Sequence, residues 1–91
     1  MKGTVLITGA SAGLGAEFAR QLDGCADRLI LVARRGEKLQ SLAATLSIPV
    51  TIIEQDLSVI GSPAELCQTI DDAGLCVDVL INNAGLGGPT L

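Results

Sequence analysis

The feature that most constrains the fold is a glycine-rich turn between a strand-like run and a helix-like run. Residues 4–8 (TVLIT) are a short β run, and the segment from Gly13 onward places apolar residues at helical spacing. Between the two, Gly9 permits a tight turn, Gly13 permits close approach of a phosphate, and Gly15 permits close helix packing. Free N–H groups at the start of such a helix attract anions. The alternative is that these glycines only turn the chain.

The same alternation continues along the chain and predicts four strands and three helices. The strands are expected at 4–8, 28–33, 49–54 and 77–81, and the helices at 13–23, 37–46 and from 62 to about 74. Strands that alternate with helices indicate a parallel sheet with right-handed crossovers. The sequence therefore predicts an α/β, partial doubly wound Rossmann fold, β-α-β-α-β-α-β, with strand order 3-2-1-4.

Composition agrees with a covered sheet and excludes several classes of protein. Hydrophobic residues make up 48% and aromatic residues 1%, so the core must be aliphatic, as in parallel strands buried on both faces. A net charge of −4 argues against nucleic-acid binding, and no apolar run approaches the roughly 18 residues of a membrane span. Without histidine, no metal site is expected. Cys25, Cys67 and Cys76 are interpreted as free, buried or half-buried thiols of a cytoplasmic protein.

Three motifs together resemble those of the short-chain dehydrogenase/reductase family. Thr8 and the glycine-rich turn resemble its T-G-x-x-x-G-x-G loop, and residues 82–85 (NNAG) and Asp56-Leu57 resemble its other two cofactor-side motifs. Each follows a predicted strand, at the edge where open parallel sheets bind ligands. The resemblance covers essentially all 91 residues. It implies that residues 1–91 are the N-terminal cofactor-binding part of a single, apparently truncated Rossmann domain.

The resemblance also implies a role for each residue of the cofactor site. Asp56 is expected to accept a hydrogen bond from the adenine amino group, and the Leu57 N–H is expected to meet a ring nitrogen. In the family, the segment that matches Asn83 runs beside the adenosine ribose, and the same is expected here. The full set expected at the dinucleotide is Gly9, Ser11, Ala12, Gly13, Leu14, Gly15, Arg34, Arg35, Asp56, Leu57, Asn83, Ala84 and Gly85. A turn role for Asp56 is the alternative.

The end of the second predicted strand indicates which dinucleotide binds. Sites that prefer NAD usually have an acid about 20 residues past the loop, where it binds the ribose 2′-hydroxyl. Here that position is Ala33, followed by Arg34 and Arg35. Because a guanidinium forks onto a phosphate, the sequence predicts NADP(H) rather than NAD(H), with Arg34 on the 2′-phosphate. The alternative is that both arginines are solvated charges at a strand end.

For the reaction, the resemblance implies hydride transfer between NADP(H) and a carbonyl or alcohol substrate. The family uses a tyrosine as general acid/base and a lysine four residues later, whereas the 91 residues contain no tyrosine. We therefore expect no catalytic residue here, no turnover by this chain alone, and a small-molecule substrate only in a full-length form. Full-length relatives are typically homo-oligomers. The second hypothesis is a stand-alone, non-catalytic nucleotide-binding or interaction module.

Overall fold

The chain folds into a parallel sheet with helices on both faces. A computed structural model describes residues 3–10, 13–34, 36–56 and 62–82. The strands pair in parallel in the order β3-β2-β1-β4, so the predicted α/β fold and strand order are confirmed. The elements are β1 (Thr4–Thr8), α1 (Gly13–Leu22), β2 (Arg28–Ala33), α2 (Gly36–Ala43), β3 (Val50–Glu54), α3 (Ser62–Asp72) and β4 (Val79–Asn82).

The two central strands, β1 and β2, are buried on both faces. Alternate side chains of each strand point to opposite faces, and aliphatic residues occupy both sets of positions. On one face they pack with α1 and α2, through Ala19 and Leu39; on the other they pack with Leu66 of α3. The fully buried large side chains are Val5, Ile7, Leu29, Ile30, Leu31, Val32 and Leu39. The core is therefore aliphatic, as the composition predicts.

The helices are short and close to the sheet. Gly15, Ala16 and Ala19 form the buried face of α1, and their small size lets the helix axis approach the strands. α3 has 11 residues. None of the helices in the described part of the chain has both the length and the apolar character needed to cross a bilayer.

The outer strand β4 is covered much less than the centre. Among the described strands, β4 pairs only with β1. Leu80 in its middle is 61% exposed, and Val77 just before it is 38% exposed. β4 therefore presents apolar side chains at an edge of the described sheet.

One expectation about packing is wrong. The thiols of Cys25, Cys67 and Cys76 are exposed rather than buried. Cys67 follows the inward-facing Leu66 by one residue, which turns it about 100° around the helix and out of the core. Leu14 fits the apolar spacing of α1, yet it is 62% exposed in the first turn of that helix.

Local hydrogen bonds move some element ends by a few residues from their predicted positions. α2 ends at Ala43 rather than 46, because the N–H and the hydroxyl of Thr45 both donate to the Leu42 carbonyl, at 3.0 and 2.7 Å. β4 begins at Val79 rather than 77. There Asp78 bonds to Thr4 instead, since its N–H donates to the Thr4 carbonyl and its carboxylate accepts from the Thr4 N–H.

Candidate nucleotide-binding site

The turn after β1 has a backbone shape that requires glycine. Gly9 has φ +63° and Gly13 has φ +60°, in the left-handed region that L side chains rarely adopt. A Cβ built on Gly13 meets no heavy atom of the described residues within 4 Å. A glycine is thus needed at residue 13 for its backbone conformation. The space that a side chain would occupy there, at the start of α1, contains no atom of the described residues.

The N-terminus of α1 is electrostatically available to an anion. Its first turn contains no acidic residue, whereas the first turns of α2 and α3 contain Glu37 and Glu65. The first N–H groups of a helix lack intrahelical acceptors and carry a partial positive charge. The exposed Leu14 lies in the same turn. This end of α1 therefore combines attraction for a phosphate with an apolar surface beside it.

Hydrogen bonds hold the glycine-rich turn between the two neighbouring strands. The Ala10 N–H donates to the Val32 carbonyl of β2 at 3.2 Å. The Thr8 hydroxyl, which is buried, donates to the Ile81 carbonyl of β4 at 3.5 Å. The turn is therefore fixed on both sides where β1 ends, and Thr8 contributes through its side chain as well as its place in the motif.

Arg34 follows β2 at the same edge of the sheet. Ala33, the last residue of β2, is buried, and Arg34 is exposed. The one ion pair between described residues joins Arg20 to Glu17, so the Arg34 guanidinium forms none within that part of the chain. At this position the structure offers an exposed cation and no carboxylate from Ala33.

The end of β3 brings further polar groups to this edge. The Gln55 N–H donates to the Ala33 carbonyl at 2.8 Å, which joins the ends of β3 and β2. The Gln55 side chain donates to the Glu65 carboxylate at 3.1 Å and so connects the first turn of α3. Asp56 follows, half-buried. It lies near the end of β2, and its adenine contact stays a prediction from the motif.

Sequence reasoning missed Glu54. Its carboxylate accepts a hydrogen bond of 2.7 Å from the N–H of Gly36, the first residue of α2. The register pairs Glu54 with Ala33, and this pairing brings the acid beside the turn that carries Arg34. An acid at a strand end is the only signal in the sequence, and it does not say which helix the carboxylate reaches.

The described members of the predicted site lie together, and the others fall outside the described residues. Gly9, Arg34 and Asp56 lie at the carboxyl edge of the sheet, where the strands end, and Gly13, Leu14 and Gly15 begin α1. The members outside the described residues are Ser11, Ala12, Arg35, Leu57, Asn83, Ala84 and Gly85. The edge thus brings together the acid-free N-terminus of α1, an exposed cation and an acid from separate parts of the chain.

Comparison with known sequences identifies relatives of this chain. Residues 3–91 match the family model described as short chain dehydrogenase. The chain is also similar to the serine 3-dehydrogenase of Agrobacterium fabrum, with 36% identity over 86 residues. That match covers 94% of this chain and 34% of the relative, so the chain spans about a third of its length.

Solved structures with similar folds lead to the same group of proteins. The bulky-bulky ketone specific alcohol dehydrogenase from Comamonas testosteroni has a TM-score of 0.78 and 32% identity, covering 94% of this chain and 37% of that one. A metagenomic short-chain oxidoreductase in complex with NADP has a TM-score of 0.70 and 32% identity, covering 86% of this chain and 37% of that one.

Proposed function

The chain belongs to the short-chain dehydrogenase family, and on that basis we propose that it forms the NADP(H)-binding part of an oxidoreductase. The proposed reaction of the whole protein is reversible hydride transfer between NADP(H) and a carbonyl or alcohol substrate. When bound, the nicotinamide supplies or accepts the hydride. The residues described above would hold the dinucleotide and favour NADP(H) over NAD(H).

The observation that carries this proposal is the pair of residues at the end of β2. Ala33 has no carboxylate to bind a ribose 2′-hydroxyl, and the exposed Arg34 follows it. A guanidinium binds a phosphate through two parallel hydrogen bonds, whereas an acid at this position would repel it. The solved structure of a relative with NADP, at 32% identity, is a further support.

The remaining contacts follow from the same edge of the sheet. The start of α1 would take the pyrophosphate, because its first turn has no acid and the Cβ direction of Gly13 is open. Asp56 would accept from the adenine amino group, as the family resemblance implies. The expected contacts at Ser11, Ala12, Arg35, Leu57 and residues 83–85 belong to the same proposal.

We expect these 91 residues to bind the cofactor without turning over a substrate. They contain no tyrosine, so the family's tyrosine and lysine pair is not among them. NADPH incubated with this chain and any carbonyl compound should keep its absorbance at 340 nm. The cytoplasm remains the predicted compartment, and a homo-oligomer remains the predicted state of the full-length protein.

Calorimetric titration of the chain with NADP⁺ and NAD⁺ tests the cofactor assignment. We expect NADP⁺ to bind more tightly, and Arg34→Ala to weaken NADP⁺ binding about tenfold, the effect of losing one charged hydrogen-bond donor, with little change for NAD⁺. Arg20→Ala removes an exposed arginine on α1 and should change neither affinity. Equal binding of the two dinucleotides by the unmodified chain would refute the assignment.

A further inference from the structure

Glu54 links the end of β3 to the turn that carries Arg34. Glu54 and Ala33 are register partners, so the acid lies beside the last residue of β2. Its carboxylate accepts from the Gly36 N–H at 2.7 Å, and Gly36 is two residues after Arg34. The carboxylate thus fixes the far end of the short turn, while strand pairing fixes the near end.

This contact depends on the absence of a side chain at residue 36. Gly36 is buried, and a Cβ built on it would lie 2.5 Å from Oε2 of Glu54. Any larger residue would push the carboxylate away, because real Cβ atoms do not approach an oxygen this closely. The small residue at 36 and the acid at 54 therefore act as a pair.

We propose that Glu54 is a positioning residue for NADP(H) selectivity, acting through Arg34. By holding the Gly36 N–H, its carboxylate anchors the start of α2 two residues after Arg34, and so restricts the Arg34 guanidinium to positions that face the 2′-phosphate. An exposed arginine on an unrestrained turn would lose more conformational entropy on binding, and this loss would weaken the affinity. The inference rests on the function proposed above.

The charge of Glu54 would oppose phosphate binding if it were not balanced. The carboxylate accepts from an N–H at the start of α2, where the helix carries a partial positive charge. Glu37 lies in the same first turn, so two carboxylates offset the partial positive charge of the α2 N-terminus. Selectivity for the 2′-phosphate is therefore left to Arg34, and Glu54 contributes by geometry rather than by charge.

The test compares two small probes that differ only in the 2′-phosphate, adenosine 2′,5′-bisphosphate and AMP. Each is titrated calorimetrically into the full 91-residue chain and its variants. Glu54→Ala should weaken binding of the bisphosphate about fivefold, a typical size for coupling between interacting residues, and leave AMP unchanged. Glu54→Gln keeps an acceptor oxygen without the charge, so it should bind both probes within about twofold of the unmodified chain.

Gly36→Ala breaks the same contact by another route. The added methyl group displaces the Glu54 carboxylate, while alanine is the better helix former, so the fold is expected to persist. Bisphosphate binding should fall as it does in Glu54→Ala. In the Arg34→Ala background, Glu54→Ala should cause no further loss, because Glu54 acts only through the arginine. Thermal unfolding of each variant reports whether it is folded.

Three results would overturn the inference: unchanged bisphosphate binding in both Glu54→Ala and Gly36→Ala, equal losses for AMP and the bisphosphate, or additive losses in the double variant. A loss in Glu54→Gln as large as in Glu54→Ala would also overturn it, because charge would then be the cause. Failure of the proposed function looks different, since the unmodified chain would then bind the two probes equally before any variant is made.

Discussion

The two edges of the sheet use backbone N–H groups in opposite ways. At the amino edge, where the strands begin, aspartates of other segments accept from them. Asp27 accepts from the Gly3 N–H at 2.9 Å, and Asp78 accepts from the Thr4 N–H at 2.8 Å. At the carboxyl edge, the first turn of α1 contains no acid at all. Its N–H groups are the ones proposed to receive the phosphates of the dinucleotide.

Asp23 is the aspartate at the amino edge that accepts the most hydrogen bonds from another segment. Its carboxylate accepts from the N–H and the hydroxyl of Ser47 and from the N–H of Ile48, at 2.8, 3.0 and 3.2 Å. These bonds connect the end of α1 to the segment before β3. Hydrogen bonding, first of all from the Ser47 N–H, holds the pKa of Asp23 below its ordinary value of 3.8.

The comparison separates residues that stabilise the fold from residues that are proposed to bind the dinucleotide. Substitutions at the amino edge should change stability and leave nucleotide affinity alone, and substitutions at the start of α1 should do the reverse. Glu54 is an exception, because it is a carboxylate that closes a turn at the carboxyl edge. The following predictions are ordered from the largest expected effect to the smallest.

Gly13→Ala should cause the largest loss of binding. The methyl group would enter the open space at the start of α1, and the φ of +60° would cost an L residue about 1 kcal/mol. We expect NADP⁺ affinity, measured by calorimetry, to fall by more than about tenfold, because a phosphate could no longer approach the helix N–H groups.

Gly24→Ala is the matched control for that variant. Gly24 also has a positive φ, +86°, and open surroundings, but it lies after α1 at the amino edge. Gly24→Ala should lower the stability of the fold about as much as Gly13→Ala does, and it should leave the NADP⁺ affinity unchanged. If both variants lost affinity equally, strain rather than the site would explain the effect of Gly13→Ala.

Leu14→Glu makes the start of α1 resemble those of α2 and α3. A carboxylate in the first turn should stabilise the free chain by about 0.5 kcal/mol and weaken NADP⁺ binding about fivefold, because it takes the favourable position of an anion. Leu14→Gln is the uncharged control. For Leu14→Glu, the Tm from thermal unfolding should therefore rise while the NADP⁺ affinity from calorimetry falls. Affinity losses of equal size in Leu14→Glu and Leu14→Gln would contradict this reasoning.

Asp23→Ala should have the smallest effect, a modest fall in Tm with unchanged nucleotide affinity. Because the pKa of Asp23 is lowered in the folded state, its carboxylate contributes stability above the ordinary value of 3.8. That contribution is lost as the pH falls below 3.8 through the lower, folded value. The Tm difference from the unmodified chain should therefore be present at pH 7 and should shrink at acidic pH.

Asp71→Ala, which removes an exposed carboxylate from the last turn of α3, is the control for Asp23→Ala. It should not lower Tm at pH 7, because an acid is unfavourable at a helix C-terminus. A Tm difference for Asp23→Ala that is independent of pH would show that ionisation of the Asp23 carboxyl group adds no stability to the fold.

The sequence predicted the sheet more accurately than it predicted the surroundings of single side chains. The aliphatic runs and the glycines between them were enough to predict four strands in the order 3-2-1-4. Leu14 of α1, by contrast, has the apolar spacing of a buried helix face, yet it is 62% exposed, and Cys67, which was predicted to be buried or half-buried, is exposed as well. Helical periodicity fixes which residues share a face, but not how far the sheet extends beneath each turn.

By itself, the sequence determined the alternation of strands and helices, the glycine-rich turn and the positions of Arg34 and Asp56 at strand ends. These are local properties, set by the residue types within a few positions of each other. Only the tertiary structure decided that Glu54 holds Gly36 and that Asp23 holds Ser47, across 18 and 24 residues. Such contacts depend on strand register and helix placement, which no local pattern encodes. The tertiary structure therefore decided how the turn that carries Arg34 is held.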